Sequence, residues 1–447
     1  MRKIIGQLLC IVCLAAFFVH AEDVPETALP TVPEQPRKLG GQGPTLAVET
    51  DPDYRNALVG SATVGAALDT QGYTFTNAGG GTSSSSDIRF FAQPSIALRQ
   101  TRSHTVWTLA YTPGISFSQH DLENTQYTQN ASGQLTWTPS RRFLLNLRQD
   151  YSLSTNPFET VGRVPILPDL GGYFGPNYNA VIPTSKRTSM VSNADLTYRL
   201  TARTAVGVTG GFQKFDYGFL SGGPTAPLTN SETISGSAFL SIVLSRRQTA
   251  GIQATYTDIY NYGSLPSRTQ VPAVLLFDDI QLTTHTTLNV YGGPGYARSS
   301  ITVLPGFPRV PQKQWQPVYG ATLAWNGVRN ALNVQLSRRT TGGGGLMGTS
   351  ETTTGSAAFR SRLTRRWNSE LRFSASNQDQ IDVLGPNPTF RTYWVGGALT
   401  RDVGRHFAVR FDGSWVRQTG DGLGYVPGDH ELFQVTLDFH FLKPMGR

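Results

Sequence analysis

Hydrophobic and polar residues alternate with a period of two near the end of the chain. In the segment that begins at Phe407, apolar or small residues occupy every second position as far as Trp415. The segment that ends at Phe441 repeats this pattern. Successive side chains of a strand point to opposite faces, so each segment predicts a strand with one apolar face. About 9 to 11 residues of such alternation suit a tilted strand that crosses a bilayer.

The same strand pattern recurs from about Leu58 onwards, and short polar turns alternate with longer connections. The turn centres lie near positions 102, 141, 202, 246, 328, 365 and 404, and we expect one more turn at residues 292–294. The repeated unit is therefore a hairpin of about 40 residues. It predicts about 18 strands, with 16 as the alternative count.

These hairpins predict an all-β fold, a closed antiparallel transmembrane β-barrel with short periplasmic turns and long extracellular loops. A β-propeller is the competing fold, because its blades also repeat at about 40 residues. A blade needs four short strands, whereas each repeat here holds two long ones. The barrel is therefore the favoured architecture.

Two local features follow from the predicted hairpins. The Gly and Ser run at residues 79–86 is expected to form the first loop. Around the turn after Leu363, we expect Arg362 beside Glu370 on the inner face and Phe359 beside Phe373 on the outer face.

Residues 1–21 have the pattern of a secretory signal, with Arg2 and Lys3 before an apolar stretch. Export through the inner membrane is expected. Residues 22–55 are rich in proline and predict a flexible periplasmic tail. Residues 56–447 form the predicted barrel. Both cysteines, Cys10 and Cys13, lie within the signal, so no cysteine framework and no cofactor are expected.

The formal net charge of +8 is more typical of basic turns near anionic lipid head groups than of a nucleic-acid surface. Membrane lipids are therefore the expected partners, and nucleic acid is not. The hydrophobic fraction of 38% agrees with a barrel, since every second residue faces the lumen.

The last strand resembles the signal by which the barrel-assembly machinery recognises outer-membrane barrels. Gln434, Thr436, Phe439 and Phe441 occupy its polar, glycine and aromatic places, with Thr436 where glycine is usual. With the hairpin repeats, the chain resembles the porin-like single-chain barrels of Gram-negative bacteria. This resemblance implies an outer-membrane location and contact with the assembly machinery.

Charged residues on the polar faces of the strands are expected to line the lumen, because exposure to lipid would cost several kcal/mol each. They form either a filter for solutes or a scaffold of ion pairs. Arginines outnumber carboxylates in this set, and this excess predicts a weak preference of the channel for anions. The candidates are Arg148, Asp150, Asp195, Arg199, Arg360, Arg362, Glu370, Arg372, Arg410, Asp412, Asp438 and His440.

The longest predicted loop, residues 155–187, follows the fifth strand. It either folds into the barrel as a constriction or remains an external loop. Its proline residues would stiffen it, and its carboxylates could face the arginines of the wall. The candidate constriction residues are Glu159, Asp169, Tyr173, Phe174 and Tyr178.

The sequence predicts a passive channel for small polar solutes. The alternatives are an export or assembly barrel, for instance for polysaccharide, and a structural or adhesive barrel with a blocked lumen. An enzyme is not expected, because no Walker loop, zincin motif or dinucleotide fingerprint is present. Assembly into an oligomer is possible.

Overall fold

The computed structural model describes residues 56–75, 81–119, 125–155, 185–219, 229–262, 266–302, 310–342, 348–381, 388–404, 406–420 and 428–444. These residues form 18 strands. The strands are β1 (Asn56–Phe75), β2 (Gly81–Thr101), β3 (Thr105–Ser118), β4 (Gln126–Ser140), β5 (Phe143–Ser154), β6 (Ser185–Arg199), β7 (Thr204–Phe219), β8 (Asn230–Ser245), β9 (Gln248–Tyr262), β10 (Ser267–Gln281), β11 (Thr286–Ile301), β12 (Val310–Asn326), β13 (Asn330–Gly342), β14 (Thr349–Arg362), β15 (Trp367–Gln380), β16 (Thr389–Val403), β17 (Phe407–Gly420) and β18 (Gly428–Pro444).

Each strand pairs antiparallel with its neighbours in the chain, and β1 also pairs with β18. The sheet is therefore a closed barrel, which leaves none of the described strands with a free edge. The predicted fold class and the count of 18 strands are confirmed. The alternative count of 16 and the propeller are wrong.

The short turns lie at one end of the barrel, the turn end, and the longer connections lie at the other, the loop end. The turn predicted at residues 292–294 is wrong, since Gly292 and Pro294 pair with β12 in the middle of β11. The turn lies instead between β10 and β11, where the Thr283 hydroxyl accepts a hydrogen bond from the His285 amide at 3.1 Å. Glycine and proline there mark an irregularity within a strand and not its end.

Two further local expectations are wrong. Residues 81–86 do not form a loop but begin β2, because the backbone ladder with β1 continues as far as Phe75 opposite Gly81. Across the turn after Leu363, Glu370 lies opposite Arg360 and Phe359 lies opposite Leu371, so the register differs from the predicted one by two positions. The hydroxyl of Thr364 accepts hydrogen bonds from the amides of residues 366 and 367 at 3.2 and 3.1 Å. The turn is centred at residue 365, as predicted, and this centre sets Arg360 and not Arg362 opposite Glu370.

Alternate side chains separate the two faces of the wall, as two adjacent leucines show. Leu276 is 67% exposed on the outer face, whereas Leu275 is 1% exposed on the inner face. The outer face also has aromatic side chains near the turn end, as in membrane-spanning barrels. These are Trp107, Trp137, Phe143, Tyr198, Trp325, Trp367, Phe407 and Phe439.

No helix in the described part of the chain is long and apolar enough to cross a membrane.

Candidate functional site

A network of ion pairs covers one side of the inner wall. Glu370 lies 3.1 Å from Arg360 and 3.4 Å from Arg372. Arg372 reaches Asp412 at 3.8 Å, and Arg410 contacts the same carboxylate at 2.5 and 2.7 Å. We call these five residues of β14, β15 and β17 the charged arc. Sequence analysis predicted all five as lumen residues, and the structure brings them together.

The charged arc crosses β16 because that strand contributes small residues. Ala398 of β16 lies opposite both Glu370 and Asp412, so no large side chain separates them. The ring of Trp394 lies 5.5 Å from the Arg372 guanidinium. The same ring lies over Gly396, where a Cβ atom would come within 2.6 Å of it. Glycine at this position therefore allows the aromatic ring to lie along the wall.

The other predicted lumen residues lie apart from the charged arc. Arg148 and Asp150 of β5 form their own pair at 2.6 Å, with side chains 31% and 30% exposed. Asp195 lies on the inner face of β6, and Arg199 and Arg362 are exposed beside the turn end.

The seam between β1 and β18 contains the last two predicted lumen residues. Asp438 accepts a hydrogen bond from the Thr63 hydroxyl at 2.6 Å. The backbone of His440 lies opposite Ser61, but its side chain is outside the described part. Of the predicted assembly signal, Thr436 is buried on the inner face and Phe439 contacts the ring of Phe407 at 5.1 Å.

The last predicted residues belong to β18 and to the segment that follows β5. Gln434 lies opposite Asp412, and the side chain of Phe441 lies outside the described part. The predicted constriction loop does follow β5, since β6 begins at Ser185. Its candidate residues all lie outside the described residues, namely Glu159, Asp169, Tyr173, Phe174 and Tyr178.

The inner faces of β7 to β12, which we call the uncharged arc, are lined by hydroxyl, amide and apolar side chains. Among the residues described there, Asp279 beside the turn end is the one with a formal charge. The neutral side chains bond to each other. Ser237 contacts the Thr209 hydroxyl at 2.6 Å and accepts a hydrogen bond from Gln253 at 2.9 Å.

At the loop end, β8 and β9 of the uncharged arc touch β13 and β14 across part of the lumen. Asn261 of β9 donates a hydrogen bond from Nδ2 to the hydroxyl of Thr349 of β14 at 2.8 Å. Gly342 of β13 also approaches β8, because a Cβ atom on it would lie 3.1 Å from the Ser231 hydroxyl. These strands are not neighbours in the sheet, so the two contacts, which we call the wall contact, narrow the barrel here.

Apolar side chains form two small clusters on the inner face of β10 to β12. Ala273, Leu275 and Val318 are buried together, with Tyr291 packed against them. Nearby, Val271 and Ala297 form a second cluster with Ile381, the residue that follows β15. The inner side of β10 to β12 is therefore packed with apolar side chains at these two places.

Among the described residues, no group of three or more His, Cys, Asp or Glu side chains could hold a metal ion. An apolar outer face around a hydrophilic inner wall defines a membrane-spanning β-barrel.

No protein-family model and no curated protein sequence matches this chain. Solved barrel structures do match. The unliganded ferric citrate transporter FecA is 9% identical, with a TM-score of 0.43 over 82% of this chain and 60% of that chain, so this chain spans less than two thirds of that protein. The open form of the ferric-catecholate import receptor Fiu from E. coli K12 is 9% identical, with a TM-score of 0.43 over 86% and 81% of the two chains. OpdQ of Pseudomonas aeruginosa is 10% identical, with a TM-score of 0.41 over 86% and 98%.

Proposed function

We propose that this protein is an outer-membrane channel through which small polar solutes diffuse passively, with a weak preference for anions. Its turn end would face the periplasm and its loop end the exterior. The observation that carries the proposal is the closed barrel, apolar outside and hydrophilic inside. A hydrophilic inner wall lets polar solutes cross without losing all their hydrogen-bonding partners.

The charges of the inner wall support the preference for anions. Arg187 adds a cation to the predicted set of lumen residues, buried on the inner face of β6. The charged arc acts mainly as a scaffold, since its arginines contact carboxylates of the same wall. Arg148 and Asp150 are more exposed to the lumen and are the better candidates for contact with solutes.

Liposome swelling with sugars of increasing size tests the channel. Small sugars should cause swelling and large ones should not, and liposomes without protein are the control. A reversal potential across a salt gradient tests the charge preference. A potential that favours cations would contradict the proposed preference but not the channel.

A second candidate is a structural barrel with a closed lumen, and the wall contact favours it. The double substitution Asn261→Ala with Thr349→Ala separates the two candidates. In a channel that the wall contact narrows, the variant conducts more than the unchanged protein. If neither protein conducts or supports swelling, the closed barrel is the better account.

The predicted constriction loop needs its own experiment. Deletion of residues 164–179 raises the single-channel conductance if this loop folds into the barrel. It leaves the conductance unchanged if the loop is external.

We also propose that β18 is recognised by the barrel-assembly machinery, because this strand closes the barrel against β1. Phe439→Ala should slow assembly in cells. Phe411→Ala, on the outer face of the neighbouring β17, is the matched control and should assemble normally.

A further inference from the structure

The outer face of the barrel has charged residues near the loop end, beyond the apolar band. Several cations in this region are neutralised by a carboxylate on the same or a neighbouring strand. The distances are 2.7 Å for Lys214–Asp216, 2.6 Å for Arg268–Asp258, 2.6 Å for Arg338–Glu351 and 3.8 Å for Arg417–Asp429.

Arg298 and Lys313 depart from this arrangement. They lie directly opposite each other on β11 and β12, and both are exposed on the outer face. Neither forms an ion pair with a carboxylate in the described part of the chain. The sequence itself has no Asp or Glu between Asp279 and Glu351. Like charges directly opposite on paired strands repel, so an anion between them would stabilise this part of the sheet.

Two aromatic rings lie next to this cation pair on the side of the turn end. Tyr296 and Trp315 contact each other at 4.9 Å, and the Arg298 guanidinium lies 5.1 Å from the Tyr296 ring. Trp315 is 71% exposed on the outer face. Tyrosine and tryptophan concentrate where the hydrocarbon of a membrane meets the head groups. The cation pair therefore lies at the level of the head groups.

We propose that Arg298 and Lys313 bind the phosphate group of a phosphorylated lipid in the leaflet around the loop end. Arginine offers two parallel N–H donors to phosphate oxygens, and lysine adds a point charge. The apolar outer face, with Pro294 and Val290 next along β11, contacts the acyl chains. This continuity with the apolar band favours a lipid over free phosphate. The site is independent of the channel function proposed above.

Native mass spectrometry of the whole barrel in a neutral detergent tests this site with dioleoyl phosphatidic acid as the probe. The unchanged protein should retain this lipid and should bind dioleoylglycerol, which lacks the phosphate, much more weakly. The double variant Arg298→Gln with Lys313→Gln should bind phosphatidic acid about tenfold or more weakly, since both cations that attract the phosphate are lost.

The matched control is Lys214→Gln with Arg417→Gln, which removes the same charge from the same end of the outer face. It should bind phosphatidic acid within about twofold of the unchanged protein. Equal losses in both variants would show general attraction by net charge and overturn the proposed site. Unchanged binding by the Arg298 and Lys313 variant would also overturn it.

Inorganic phosphate is the second probe, because it offers the phosphate group without acyl chains. It should bind far more weakly than phosphatidic acid, because it makes no contact with the apolar band. If inorganic phosphate binds as tightly as the lipid, and if this binding is lost in the Arg298 and Lys313 variant, the lipid assignment is wrong. Circular dichroism of each variant should show the unchanged β-sheet content, since both substituted side chains are exposed.

Discussion

The charged arc and the uncharged arc make the inner wall hydrophilic in two different ways. In the charged arc, Arg372 links the carboxylates of Glu370 and Asp412 across β16. In the uncharged arc, hydroxyl and amide groups satisfy one another, as in the contact of Thr209 with Ser237. Removing water from neutral polar groups costs much less free energy than removing it from charges, provided that the neutral groups remain hydrogen-bonded. The wall contact shows this, since Asn261 and Thr349 are both buried and bond to each other there.

The largest expected effect on the free energy of unfolding is that of a charge placed in the wall contact. Asn261 is 2% exposed, and Asn261→Asp keeps its shape but buries a carboxylate without a cation. An unpaired buried charge costs about 3 to 5 kcal/mol. Urea unfolding followed by tryptophan fluorescence should show this loss at neutral pH. The control is Asn368→Asp, exposed beside the turn end, which should change little. Equal stability of the two variants would contradict the role of neutrality in the wall contact.

The next effect is that of a cavity in the core of the uncharged arc. Leu275→Ala should lower the free energy of unfolding by about 3 kcal/mol, because Leu275 is packed with Ala273 and Val318. The neighbouring Leu276→Ala is the control, since detergent or lipid fills the space left on the outer face. A similar loss for both leucines would mean that the inner side is no more tightly packed than the outer.

A smaller loss is expected in the charged arc. Glu370→Gln removes the carboxylate shared by Arg360 and Arg372, and it should cost about 2 kcal/mol. Because the Glu370 side chain is still 14% exposed, water limits the loss. The same unfolding measurement applies. Glu431→Gln, exposed on the outer face of β18, should stay within about 0.5 kcal/mol of the unchanged protein. A loss there as large as at Glu370 would refute the special role of the shared carboxylate.

The smallest effect is on ion preference. Arg148→Gln removes one cation that is 31% exposed to the lumen, so the reversal potential should move slightly towards cations. Arg417→Gln, on the outer face, should leave the reversal potential unchanged. A shift in the control alone would place the selective charges outside the lumen.

The strand order and the two faces could be predicted from the sequence because both depend on local signals. Alternation distinguishes Leu275 from Leu276 whatever lies across the lumen. Serine and threonine mark the turns, and Thr364 shows how one hydroxyl closes a hairpin. The same signal at Thr283 identifies the turn that the glycines at 292 and 293 obscured. Those glycines instead fit a close approach of β10 and β11, where a Cβ on Gly293 would collide with the Val274 carbonyl oxygen.

By itself, the sequence determined a closed barrel and which side chains face its interior. Only the tertiary structure decided that Glu370 links Arg360 to Arg372, since the register differs by two positions from the predicted one and such a shift changes every partner. The wall contact was also decided by the tertiary structure alone, because Asn261 bonds to Thr349, which lies 88 positions further along the chain. Hydrogen bonds between neighbouring strands follow chain order. Contacts across a lumen depend on how the whole ring of strands is shaped, and that shape results from the packing of all its side chains together.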